Sequence, residues 1–264
     1  MSSLIIEVPY FKYIKQYKLW KLKNRKILKE LDIDIKVYDG IVGSSWNGGR
    51  VNTVDSPSSG INISFALTNY KINFNDSITH EVLKDNHREG NSIIIANRAI
   101  IHQLKKLYPK YTYIYSITGF DIKDFSVYKD IEKEFDYIVP RVELIDNDYS
   151  SLNMSQYILL YSYECAYCPL YNEHFKMIGE AVLDESKQYL VACWFKNKSL
   201  FDNTEFNADD YEYEYSTSQK FHHKLTDINP RTLAGYKIGR NEQEWCQIED
   251  DLDEILELIK DEYE

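Results

Sequence analysis

Short apolar, β-branched runs recur along the chain at Leu4–Val8, Ile35–Val42, Ile61–Leu67, Ser92–Ala96, Thr112–Ser116, Asp136–Pro140 and Tyr157–Ser162, with starts 20 to 31 residues apart. That spacing leaves room for a helix between successive runs. Several runs, notably SIIIA, are apolar throughout rather than alternating, as strands covered on both faces are. Helical patterns lie between them. In NRAIIHQLKKLYP, Ile100, Ile101, Leu104 and Leu107 share one face, and Pro109 marks the stop. Repeated strand–helix alternation predicts a parallel sheet, and seven or more such units fit a closed barrel better than an open doubly wound sheet. The expected fold is α/β: a single (β/α)8 TIM-like barrel domain over residues 1–264.

The last units are less regular. QKFHHK and LAGYKIGR, near residues 219–240, are candidates for the final one or two strands. Residues 249–264 form an expected acidic C-terminal helix, with Leu252, Ile255, Ile259 and Tyr263 docking it and its acids in water. The segment 12–29 has Tyr13, Tyr17, Trp20, Ile27 and Leu31 at helical spacing, which reads as the first barrel helix with those residues inward.

Charge adds little to the fold but narrows the partners. Net charge is -11, uneven along the chain: residues 249–264 hold nine acids and one lysine, and residues 12–29 hold eight basic residues and no acid. The acidic balance argues against non-specific RNA binding. The basic helix would need exposed aromatics to bind single strands, and their spacing buries them. Without a long apolar run no membrane span is expected. With no basic, apolar leader the protein reads as cytoplasmic, so its four cysteines read as thiols or ligands rather than disulfides. The 23 tyrosines fit a compositional bias and suggest no chemistry by themselves.

In a parallel barrel the site forms where strands end. The residues that follow the predicted strands are Asn47 and Arg50, Thr68 and Asn69, Asn97 and Arg98, Thr118, Arg141 and Glu143, Glu164 and Cys165, and, after Lys237, Gly239 and Arg240. Converging arginines suit an anionic substrate, because the guanidinium clamps carboxylate or phosphate bidentately. Each could instead pair with a neighbouring acid and tie loops together. Glu143 and Glu164 are the general-base candidates. His222, next to His223, could supply an acid or base, although adjacent strand residues point to opposite faces. The glycines of SSWNGGR could bring backbone N–H groups to an anion or could make a tight turn.

Five stretches in order, IKVYDGIVGSSWNGGR, SFALTN, SIIIANRAIIHQLKKLYPKYTYIYSITG, YIVPRVEL and AGYKIGR, cover roughly residues 35–240. In that order they resemble the collagenase-like peptidase family, which includes RNA and ubiquinone hydroxylation proteins. The resemblance implies a barrel, modification chemistry such as hydroxylation, and in several members an iron–sulfur cluster on four cysteines. No residue set resembles a protease centre.

The cysteines depart from that family's spacing. Cys165 and Cys168 form a tight pair within YECAYCPLYNEHF, followed by His174, Cys193 and Cys246. Three thiolates with His174 would suit zinc, and four thiolates would suit zinc or an iron–sulfur cluster. Cys193 could equally be a small buried apolar residue, and the tight pair a redox dithiol. Two functions follow: a metal- or iron–sulfur-dependent enzyme modifying an anionic nucleotide-like or small-metabolite substrate, or a non-catalytic interaction protein, cellular or viral, on a degenerate barrel with structural zinc or no metal.

Overall fold

The computed structural model describes residues 4–9, 14–39, 62–69, 74–119, 125–141, 149–163, 175–176, 179–180, 183–184, 219–220, 229–239 and 245–261. Nine strands are present among them: β1 Leu4–Pro9, β2 Ile33–Asp39, β3 Asn62–Leu67, β4 Ser92–Ile95, β5 Thr112–Tyr115, β6 Tyr137–Ile138, β7 Ile158–Tyr163, β8 Gln219–Lys220 and β9 Gly235–Ile238. Strands β1 to β6 pair in parallel with their sequence neighbours, and β9 pairs in parallel with both β1 and β7. One parallel bridge, Ile138 to Tyr157, joins β6 to β7. The eight strands β1–β7 and β9 therefore form a nearly closed (β/α)8 TIM-like barrel. Of the two late candidates, AGYKIGR supplies the closing strand. QKFHHK supplies β8, which lies antiparallel on the end of β7.

The helices follow the apolar spacing. Helix α1 (Ile14–Lys23) and α2 (Arg25–Glu30) bury Tyr17, Trp20 and Leu28, with Ile27 and Leu31 packed beside them. Tyr13 lies outside the described residues. Asp76 caps α3 (Ser77–Asp85) through its side chain, which accepts from the Ile78 and Thr79 N–H groups. In α4 (Ile101–Leu107), Ile101 and Leu104 are buried while Leu107 is 50% exposed. Tyr108 takes the inward place that the spacing assigned to Leu107, because the helix ends there and Pro109 turns the chain outward. Helix α5 (Tyr128–Glu134) precedes β6, and α6 (Trp245–Asp261) follows β9.

Helix α6 corrects one expectation. Ile248, Leu252, Ile255, Leu256 and Ile259 dock it, but its acids are not all in water. Asp251 is fully buried. Asp253 accepts from the Trp20 indole N–H at 2.8 Å, and Glu254 accepts from the Tyr161 hydroxyl at 2.5 Å. The stripe of a helix lying on a sheet is wide enough to bring flanking positions into contact, and here two large side chains with polar tips meet them.

Two cores result. Alternation along β1 puts Leu4, Ile6 and Val8 on the outer face, where they pack beneath the helices, and turns Glu7 into the barrel. Phe65, Ile93, Ile95, Tyr113 and Tyr115 continue the outer layer, and all are buried. Tyrosines fill much of it while tying their hydroxyls to backbone: Tyr111 donates to the Leu83 carbonyl at 2.7 Å and Tyr113 to the Tyr108 carbonyl at 2.9 Å. Among the described residues no helix is long and apolar enough to cross a membrane.

Candidate functional site

The inside of a TIM barrel is ordinarily filled by branched apolar side chains. Here it carries charge. Glu7 on β1 stands in register with Lys36 on β2 and Lys237 on β9, so all three share the inner phase of their strands. All three are buried. Lys237 Nζ donates to Glu7 Oε2 at 2.5 Å, and Ser64 Oγ donates to Glu7 Oε1 at 2.7 Å. Both carboxylate oxygens are thus engaged. Lys237 Nζ also sits 3.7 Å from the centre of the Tyr38 ring, a favourable place for a cation. Tyr38 in turn donates its hydroxyl to the Ile238 carbonyl at 2.9 Å. Lys36 Nζ donates to Ser92 Oγ at 2.6 Å. Two sets result: Lys36 with Ser92 at the first position of β4, and Ser64, Glu7, Lys237 and Tyr38 reaching Ile238 at the last position of β9.

Above it, the strand ends carry buried polar side chains. Thr68 and Asn69 follow β3, and Ser116 and Thr118 follow β5. The Ser116 and Thr118 hydroxyls lie 2.9 Å apart, and Asn69 Nδ2 donates to the Gly179 carbonyl at 3.3 Å. Arg141, half-buried after β6, donates its backbone N–H to the Tyr128 hydroxyl at 3.0 Å.

The sequence-derived candidates divide three ways. Asn69 and Arg141 stand at strand ends, as their positions suggested. Lys237 lies within the lumen, ion-paired, rather than on the rim. Arg98 forms a bidentate pair with Glu134, its Nε 2.9 Å from Oε2 and its Nη2 2.5 Å from Oε1. That pair ties the start of one helical segment to the end of α5, and its hydrogen bonds hold the Glu134 carboxyl below the usual carboxylate range. It matches the loop-tying role that the sequence left open for the arginines. Cys246 is an exposed thiol in the first turn of α6. Asn47, Arg50, Glu143, Glu164, Cys165, Cys168, His174, Cys193, His222 and Arg240 lie outside the described residues. Among the described residues no group of three or more His, Cys, Asp or Glu could hold a metal ion.

Glu7, Lys36, Tyr38, Ser64 and Ser92 were not singled out from the sequence. Their signal was a charge at the inner phase of an otherwise apolar strand, as in LIIEVP, and strict alternation in IDIKVYD.

Among the described residues, the inner phase of these strands carries the amines of Lys36 and Lys237 and the carboxylates of Glu7 and Asp34. Burial lowers the Lys36 pKa from the ordinary 10.5, and the nearby charges of Asp34, Glu7 and Asp136 act the other way without cancelling it. The sign for stability follows from proton counting. The unfolded chain binds the Lys36 proton more readily than the folded chain, so this residue's contribution to stability rises with pH. Wild type relative to Lys36→Met should therefore gain stability as the pH is raised from neutral toward 10.5. Urea unfolding of both proteins across that range reads the difference, and a flat one would contradict the assignment.

Fold and site together define a class: a (β/α)8 barrel whose lumen is ion-paired and lined with hydroxyls. Comparison of the chain with protein-family models, with curated proteins and with solved structures gives no match. The likeness to collagenase-like peptidases accordingly stands on the five sequence stretches alone.

Proposed function

We propose that the chain is a barrel enzyme of collagenase-like peptidase type that modifies an anionic, nucleotide-like or small-metabolite substrate at the C-terminal mouth. The observation that carries this reading is the polar lumen. Folding needs only apolar filler there, and a buried ion pair is a poor way to stabilise a core. Glu7, Lys36, Ser64, Ser92 and Lys237 therefore support a role in chemistry, and Asn69, Ser116, Thr118 and Arg141 extend the polar path toward the strand ends. Arginine and lysine at those ends suit a phosphate or carboxylate. Zinc or an iron–sulfur cluster is the proposed cofactor, on Cys165, Cys168, Cys193 and either His174 or Cys246. The exposure of Cys246 leaves its thiol open to such a set.

The test has two parts. Anaerobically purified protein should carry either about one zinc per chain and no colour, or iron with sulfide and a brown absorbance. Nucleoside monophosphates or inorganic phosphate, titrated into the protein, should raise its melting temperature by about 5 °C or more at a hundredfold excess over Kd. Metal-free protein unmoved by any of these anions would overturn the reading. It would favour the non-catalytic interaction protein, which already draws support from the engagement of Arg98 by Glu134. RNA affinity that falls steeply with salt would point instead to an RNA substrate.

A further inference from the structure

We propose that Lys36 is an imine-forming lysine, an amine in the barrel lumen that condenses with the carbonyl carbon of a small α-oxo acid. The carbonyl follows from the geometry described below. The acid group rests on the proposed anionic substrate.

The argument begins with partners. Lys36 Nζ donates to the neutral hydroxyl of Ser92 at 2.6 Å. Among the described residues no carboxylate lies within ion-pair distance of it. Glu7 instead meets Lys237 with one oxygen and Ser64 with the other. The two lysines differ in this respect. Lys237 has a carboxylate beneath it and an aromatic face beside it, the surroundings of a cation. Lys36, 3% exposed, has a hydroxyl. A buried ammonium with no carboxylate in contact is relieved by losing its proton, and desolvation of the amine is one way that lysine becomes a nucleophile at neutral pH.

The groups that bear on it charge by charge are few. Glu7 reaches from β1, Asp34 lies on its own strand, and Asp136 stands at the head of β6; all three favour the ammonium, and burial opposes them with the larger effect. Asp34 is itself held by the Asn62 amide at 2.9 Å, and Asp136 accepts from the Tyr113 N–H at 2.7 Å. Their charge is thereby partly spent elsewhere. The Ser92 hydroxyl orients the amine.

The reaction balances without any further reagent. The lone pair of the neutral amine attacks the carbonyl carbon, a C–N bond forms and the C–O π bond opens to the alcohol of a carbinolamine. The two amine protons leave with the carbonyl oxygen as water, and a C=N bond remains.

Glyoxylate, the smallest α-oxo acid, tests this on the full chain in the presence of cyanoborohydride, which reduces an imine and fixes the carboxymethyl adduct. Peptide mass spectrometry then maps the labelled lysines. At pH 7 the expected result is that Lys36 labels at least about tenfold faster than the exposed Lys15. Lys36→Met removes that adduct and leaves surface labelling unchanged, and the wild-type map decides the matter even if the variant fails to fold. Labelling of Lys36 no faster than that of Lys15 overturns the inference. The anion-dependent melting temperature separates this outcome from the proposed function: stabilisation by phosphate without a Lys36 adduct removes the imine alone, and a Lys36 adduct without stabilisation by anions removes the anionic substrate alone.

Discussion

Gly235→Ala is expected to open the barrel. Gly235 begins the closing strand at φ +155, a conformation that L side chains rarely adopt, and a Cβ added there would lie 1.7 Å from the Ile5 carbonyl oxygen. The obstacle is backbone, at the seam where β9 meets β1. Ile5 donates its N–H to the Ala234 carbonyl at 2.8 Å on one side of that contact, and the register continues through Tyr236 and Lys237 on the other. Neither strand can retreat without loosening this ladder. A loss of about 4 kcal/mol or more in urea unfolding is expected, a large share of the ~5–15 kcal/mol that holds a typical domain together. Gly90→Ala is the comparison. It has φ +90, but its added Cβ meets the end of the Asn62 side chain rather than backbone, and Asn62 can yield at the expense of its hydrogen bond to Asp34. A cost of about 2–3 kcal/mol is expected there, from the backbone conformation and the disturbed hydrogen bond together. Equal costs at the two glycines would contradict the account of the seam.

The second large effect belongs to Glu7. Glu7→Leu removes the carboxylate that the buried Lys237 ammonium meets, and Ser64 loses its acceptor. Truncating one partner of a buried pair costs about 3–5 kcal/mol. The double variant Glu7→Leu, Lys237→Met removes both charges and should recover most of that loss, because a well-packed apolar pair replaces an ion pair at little net cost. The coupling between the two changes, read from a double-mutant cycle in urea, should therefore be large and opposite in sign to the single effects. A single variant that loses less than about 1 kcal/mol would mean that the pair is hydrated rather than buried. If the lumen serves chemistry, the stable double variant should also be inactive, which separates the stability of the network from its use.

The barrel was legible because its strands are buried on both faces. SIIIA, FAL and YIY show as short apolar runs without alternation, and the spacing of the runs leaves one helix between each pair. Closure followed from the number of units. The lumen was harder to see for a physical reason. A charge in a strand is ordinarily read as a solvent-facing position, and Glu7 and Lys36 look like that from either neighbour. Only the parallel register, which sets Glu7 beside both Lys36 and Lys237, reveals that they share one interior, and register between distant strands is not written in local pattern. Lys237 was singled out for its place near the end of a strand, yet its chemistry comes from Glu7, 230 residues away. The tyrosines show the same limit. As composition they suggested nothing. In place, Tyr38, Tyr111, Tyr113, Tyr157 and Tyr161 fill the layers of the barrel while their hydroxyls reach backbone or carboxylate. Arg98 shows the opposite case. Its position after a strand suggested substrate binding, and Glu134, at the end of α5 beyond β5, engages it instead.

The seam between the first and last strands also sets a timetable for synthesis. Glu7 leaves the ribosome 230 residues before Lys237, which at ~5–20 residues per second is a wait of tens of seconds. Through that interval the nascent chain exposes the edge of β1 that β9 will cover, and Glu7 lacks the Lys237 ammonium. A chaperone that shields this edge should therefore raise the yield of folded protein.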